Sequence, residues 1–321
     1  MVNATDLEKQ TLIVGGDKFS EEEEEIIEFA QKTRLQSGLY VLLRNPFIED
    51  VPPVLFLKAA EDLLFLALSL SWILTAIFRQ DIIEDNAVKR YIGYNNLCVG
   101  WDVLPALFVG GTFWAITSFL SLRFVFFNAL RLTKLRKKIK EEEAIDEEEH
   151  PEDHEDDHSF LGVDIDKKNC LNYHFPVVAN FFFMITTILF SQTFMIRPEE
   201  GISIWLHTMP FLAAMYGTFI ISLSLCLESS KQMKTIGWIW LVIFGITSTV
   251  NPIIFVYDFI YYDTHGERSP FPYQIVMVMD HIWFLCLALN GWNLPSTIVV
   301  NRKFESISND RIEQYLSIRS T

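Results

Sequence analysis

Six stretches of the chain are apolar almost without interruption. None alternates like a half-buried strand, and none shows the one-sided stripe of a soluble helix. They cover Leu57–Phe78, Val103–Leu130, Phe175–Ile196, Ile202–Leu227, Ile236–Tyr261 and Tyr273–Trp292, the last with an apolar continuation to Val300. A helix needs about 20 consecutive apolar residues to cross a hydrocarbon core. Buried helices of a large soluble protein do not explain runs of this length, because they leave no face for water. The pattern predicts an all-α polytopic membrane protein, a bundle of six transmembrane helices. Its segments are an N-terminal portion (1–56), two spans (57–130), a charged loop (131–172), four further spans (173–300) and a C-terminal tail (301–321).

The polar segments have patterns of their own. Ser20 followed by Glu23 has the spacing of a capping box, and Glu21, Glu22 and Glu23 suit the positive end of a helix. A short helix is expected from Glu21 to Gln36, then an interfacial stretch around Leu39–Leu43 that Pro46 and Pro52–Pro53 stop. The second span is expected to run on as a basic helix, Arg131 to Lys140, a match for anionic lipid head groups at about 1 kcal/mol per basic side chain near the surface. Beyond it, Glu141–His158 is expected to be a poorly ordered acidic segment. It carries His150, His154 and His158 at spacings of four, which on a helix would put three imidazoles on one face. That is a candidate site for zinc or a similar divalent ion.

Composition agrees with lipid as the solvent. Of 321 residues half are apolar, 14% are aromatic and 27 are Phe, and the mean hydropathy is +0.22. The formal charge of −15, from 41 acids against 26 Lys and Arg, leaves no basic footprint for nucleic acid. Four Cys without a CxxC exclude a disulfide scaffold or a cysteine zinc site. The charge is segregated: residues 1–57 carry −6 and residues 133–172 carry −7, as expected of a bundle with two water-exposed segments.

Ionisable groups inside spans are costly and therefore candidates for function. Asp280 and His281 lie in the first half of the sixth span and His207 about one turn into the fourth. Parallel spans put His207 and Asp280 at similar depth, and the two are expected to meet in a polar pocket. Asn251, before Pro252 in the fifth span, stands where the proline interrupts the backbone ladder; Asn180 in the third span suits an interhelical hydrogen bond. Glu61 and Asp62, beside Lys58, are expected to form an interfacial cluster or the inner mouth of a pathway.

Several classes are excluded. There is no dense histidine set of a membrane di-metal oxidase, no GxSxG or HExxH, and no span with a basic residue at every third position. The link Asp263–Phe271 is too short for a pore helix and filter. The expected function is a transporter or channel-like pathway for an ion or small solute, using His207, Asp280, His281, Asn251 and Asn180, and not an enzyme. The alternative is an assembly partner of another membrane protein, or a lipid head-group-binding enzyme. The site is expected in a eukaryotic endomembrane or the plasma membrane.

Six spans put both termini and the 131–172 loop on one side. That side carries 20 Lys and Arg, against 5 on the other, and basic residues favour the cytosol. A protease site inserted in the 131–172 loop should therefore be cut only after the membrane is permeabilised. Cleavage in intact cells or sealed vesicles that expose the opposite face would contradict the orientation.

Overall fold

A computed structural model describes residues 53–149, 174–230 and 233–295. The expected N-terminal helix and the His150, His154 and His158 set lie outside the described residues. In chain order the elements are α1 (Pro53–Phe78), α2 (Gln80–Glu84), α3 (Ala87–Ile92), a 3₁₀ turn (Leu97–Trp101) and α4 (Ala106–Glu149). They continue with α5 (Phe175–Phe190) and its 3₁₀ extension (Ser191–Phe194), then α6 (Ile202–Glu228), α7 (Thr235–His265) and α8 (Tyr273–Asn293). Among the described residues there is no strand. Six helices are long and apolar enough to cross a membrane: α1, α4 through Lys137, α5 with its extension, α6, α7 and α8. The protein is an all-helical, multi-pass membrane protein.

Its outer surface is as apolar as its interior. On α7, Ile239, Ile246, Ile253 and Ile260 recur every seven residues and are each more than half exposed, while Trp240, Phe244, Phe255 and Phe259 of the same helix are buried. Lipid tails, rather than water, suit such an outer stripe. Inside, helices approach closely where side chains are small. A Cβ placed on Gly217 of α6 would stand 2.1 Å from Thr186 Oγ1 of α5, so only glycine permits that crossing.

Polar ties mark the two ends of the bundle. At one end, Arg90 pairs with Glu200, the Tyr91 hydroxyl donates to Asp263 Oδ1 (2.9 Å) and Trp205 Nε1 donates to Asp263 Oδ2 (2.7 Å). This end, here the loop face, gathers the segments after α1, α5 and α7. At the other end Arg131 of α4 pairs with Glu228 of α6 at 2.6 Å. Arg131 also donates to Asn128, whose amide donates to Asn180 of α5, and Asn180 donates on to the Val125 carbonyl. The helices therefore alternate in direction.

Two elements differ from expectation. The helix of α4 continues through Glu149 instead of giving way at Lys140, which accords with a run of Lys, Glu and Ala, all strong helix formers. Its start falls at Ala106 rather than Val103, because the residues before it do something else. The α1–α4 connection does not stay at the surface. It turns at Gly93, whose φ of +86° caps α3, and then passes into the bundle. Leu97, Cys98, Val99, Gly100 and Trp101 are all buried.

Backbone buried at this depth must find partners within the protein, and it does. Asn96 Oδ1 accepts from the Cys98 N–H at 2.9 Å. The Leu97 carbonyl accepts from Trp72 Nε1 (3.0 Å) and the Gly100 carbonyl from Thr75 Oγ1 (2.6 Å), both on α1. Gly100 is required by contact: a Cβ there would lie 2.7 Å from the Trp72 ring.

Candidate functional site

The inserted loop carries two groups to two different buried residues of the spans. Asp102, at its end, faces His207 of α6. The Nε2–Oδ1 separation is 3.2 Å, and the side chains are 4% and 1% exposed. This is ion-pair range, although the ring N–H is not aligned for an ideal hydrogen bond. The other ring nitrogen, Nδ1, lies 2.7 Å from the Ile196 carbonyl. A carbonyl only accepts, so Nδ1 bears a hydrogen, which fixes the tautomer. In a neutral ring Nε2 would then direct its lone pair at a carboxylate. The contact becomes favourable when the pair holds one further proton, on Nε2 or on Asp102. Burial pushes the Asp102 carboxyl above the ordinary range, and His207 and Arg197 partly offset this.

An open vestibule of about 350 Å³ on the loop face has Asp102 in its wall, with both carboxylate oxygens buried, and is lined also by Asp85, Arg90, Arg197, Glu199 and Glu200. Arg90 is committed within it, to Asp85 and to Glu200.

The second group is Asn96, which donates to Asp280 Oδ2 of α8 at 2.8 Å. The Leu97 N–H approaches the same oxygen at 3.4 Å, and Asn251 Nδ2 of α7 donates to Oδ1 at 3.4 Å. Asp280 is wholly buried. These neighbours are neutral donors, suited to a carboxylate acceptor. Two acceptors of α7 close by in sequence, Ser248 Oγ and Asn251 Oδ1, are buried without a partner. Pro252 in addition removes the N–H that would have met the Ser248 carbonyl. The helix nonetheless runs unbroken from Thr235 to His265.

A third feature lies deeper. A mostly apolar cavity of about 30 Å³, room for a water or two, lies between α1, α4, α5, α6 and α8. Glu61, 3% exposed, stands in its wall with Thr117, Ser121, Thr186, Thr187 and Thr218. Aromatic rings separate it from the Asp102–His207 pair. Phe211, one turn beyond His207, meets Trp283 at 5.9 Å, Phe190 at 5.8 Å and Trp101 at 6.3 Å between ring centroids. Phe190, Phe211 and Trp283 also line the cavity.

His207 and Asp280 are both interior, as expected, but no ion pair joins them. Each takes a partner from the inserted loop, which occupies the space between α6 and α8 where a direct contact would have formed. Asn251 reaches Asp280. Asn180 is fully engaged in the α4–α5 tie and lines neither cavity. His281 faces outward, with Nδ1 2.6 Å from the Met277 carbonyl of its own helix. Glu61 is buried and stands in the cavity wall; its position four residues after Leu57, on the buried stripe of α1, was the signal. Asp102 escaped sequence reasoning because it precedes an apolar run and read as a loop residue. Among the described residues no group of three or more His, Cys, Asp or Glu is placed to hold a metal ion.

Comparison with protein-family models, curated proteins and solved structures finds no match for the chain.

The raised proton affinity of Asp102 has a spectroscopic consequence. An exposed aspartate ionises near pH 3.9. In infrared titration of the purified protein, the Asp102 part of the protonated-carboxyl band should survive above that pH and be missing in Asp102→Asn. A spectrum unchanged by that substitution would contradict the assignment.

Proposed function

We propose that the protein is a transporter or channel-like pathway for an ion or small solute, with Asp102 and His207 as the proton-handling pair at its loop-face entrance. The observation that carries this reading is a succession along one line through the bundle. An open vestibule has a buried acid–imidazole pair at its wall, a cluster of aromatic rings follows, and a small cavity with Glu61 in its wall lies beyond it. A bundle that needed only cohesion would gain nothing from leaving Asp102 without aligned hydrogen bonds in low dielectric. In this conformation the aromatic seal closes the line, so passage requires Phe211 or its neighbours to move, as alternating exposure of a central site demands.

A head-group-binding enzyme is less well supported. Such a site would offer several free cationic side chains to phosphate, whereas of the two arginines in the vestibule wall Arg90 is already bound to two carboxylates, which leaves Arg197 alone. The proton-coupled reading also gives the vestibule's excess of acids a use, since they concentrate cations at the mouth. By the distribution of Lys and Arg, the loop face is the non-cytosolic one.

Proteoliposomes carrying a pH-sensitive dye test the proposal. The wild-type protein should dissipate an imposed pH gradient, and Asp102→Asn or His207→Gln should slow this by about a hundredfold, the low end of what a positioned acid–base group contributes. Both variants should elute as the wild type does. Equal rates in all three proteins would refute the proposal.

A further inference from the structure

The face of α4 that meets lipid carries a charge. Phe119, Leu122, Phe126 and Leu130 are exposed there, and Arg123 stands among them, partly exposed. Its depth is set by its neighbours. The Phe56 ring, in the first turn of α1, stacks on Phe127 at 5.7 Å, so α1 begins level with a point one turn beyond Arg123. The Arg131–Glu228 pair at that end of the bundle is eight residues further along α4, about 12 Å at 1.5 Å per residue. Arg123 therefore lies within the apolar layer, in the half opposite the loop face.

Its side chain does not reach out toward the nearer membrane surface. Arg123 Cζ lies 5.0 Å from the centre of the Phe56 ring and 5.3 Å from that of Phe119, one turn deeper. Helical side chains lean in that direction, toward their own N-terminus. The ring faces attract the cation, but they do not replace oxygen acceptors for its five N–H donors. Among the described residues no carboxylate or carbonyl accepts from Arg123. A guanidinium keeps its proton, and a charge in hydrocarbon without an acceptor is costly. The missing partner is an anionic oxygen that arrives from the lipid side.

The same face supplies a route for one. Lys134 and Lys137 fall within about 40° of Arg123 around the helix, at about 100° per residue, and both are exposed. Lying beyond the end of α6, they draw anionic head groups to this side of α4. A phosphate matches the guanidinium fork with two parallel N–H···O bonds, and the acyl chains of the same lipid can run along the exposed Phe119.

We infer that Arg123, flanked by Phe56 and Phe119, binds the phosphate of one anionic phospholipid in the leaflet opposite the loop face. The site is independent of the pathway reading. A free phosphate ion, which would have to shed its water to enter the apolar layer, does not occupy it.

Native mass spectrometry of the full-length protein in neutral detergent, titrated with dioleoyl phosphatidylglycerol, tests the site. One lipid should be retained saturably, ahead of dioleoyl phosphatidylcholine, whose ammonium cancels the phosphate charge. Arg123→Gln should weaken retention about tenfold. Arg123→Lys, which keeps the charge and loses the fork, should weaken it several-fold and guards against a first variant that does not fold. Replacing Lys134 and Lys137 together by Gln should cost less than Arg123→Gln. The lipid should also raise the Tm of the wild type but not that of Arg123→Gln, while the two proteins melt alike without lipid. Equal affinity in the wild type and both Arg123 variants would overturn the site, and so would displacement of the lipid by inorganic phosphate at equal concentration. A larger loss from the lysine pair than from Arg123→Gln would overturn it too, by placing the lipid at the end of α4.

Discussion

Every feature of this bundle depends on one constraint: a non-helical segment placed at membrane depth has to satisfy its backbone with protein. The stretch from Gly93 to Pro105 meets it with side chains from two spans and with Asn96 of its own. Trp72 and Thr75 of α1 cover its carbonyls, and Asp280 of α8 receives the Asn96 amide. Asp280 is eight residues into its helix, about 10 Å along the axis at 1.5 Å per residue, which measures how far the loop descends. Irregular backbone at such depth is tolerated only when it is buried in protein or lines a water-filled space, and here it does both.

The two carboxylates served by this loop show how neighbours assign roles. Asp280 is surrounded by three amide donors, two from the inserted loop and one from α7, and acts as an anchor, whose removal would leave Asn96 and the loop without their partner. Asp102 has no such cage. It faces an imidazole whose other nitrogen is already fixed by the Ile196 carbonyl, so the proton count of that contact can change without the helices moving. One aspartate thus holds the loop in place while the other, six residues beyond Asn96, faces an imidazole beside the vestibule. Glu61 has a third environment, the wall of a small and mostly apolar cavity.

Much of the fold was legible in the sequence because lipid imposes a simple rule on apolar runs, and all six helices fall where those runs fall. The interior importance of His207, Asp280 and Asn251 was legible for the same reason, since polar groups in hydrocarbon are expensive. Their partners were not. Hydropathy treats residues 93–105 as a surface link, and nothing in Asn96 or Asp102 taken alone reveals that the loop turns inward. The signals are distributed: Thr75 and Trp72 supply donors on α1, and Gly100 provides the space for the Trp72 ring. At Glu61 the sequence left the depth open, because acidic residues near a helix start commonly reach the interface; the structure buries that side chain in the cavity wall.

Hydrogen–deuterium exchange of the full-length protein tests the inserted loop most directly. Exchange of the Leu97, Cys98 and Val99 amides should be as slow as that of the spans, since they are buried and each approaches an acceptor, Asp280, the Asn96 side chain and the Asn96 carbonyl respectively. Asp280→Ala should accelerate exchange across residues 95–102 while the lipid-facing helices stay protected. Exchange of those three amides in the wild type as fast as at the exposed Asp81–Asp85 segment would contradict the inserted loop and, with it, the placement of Asp102 against His207.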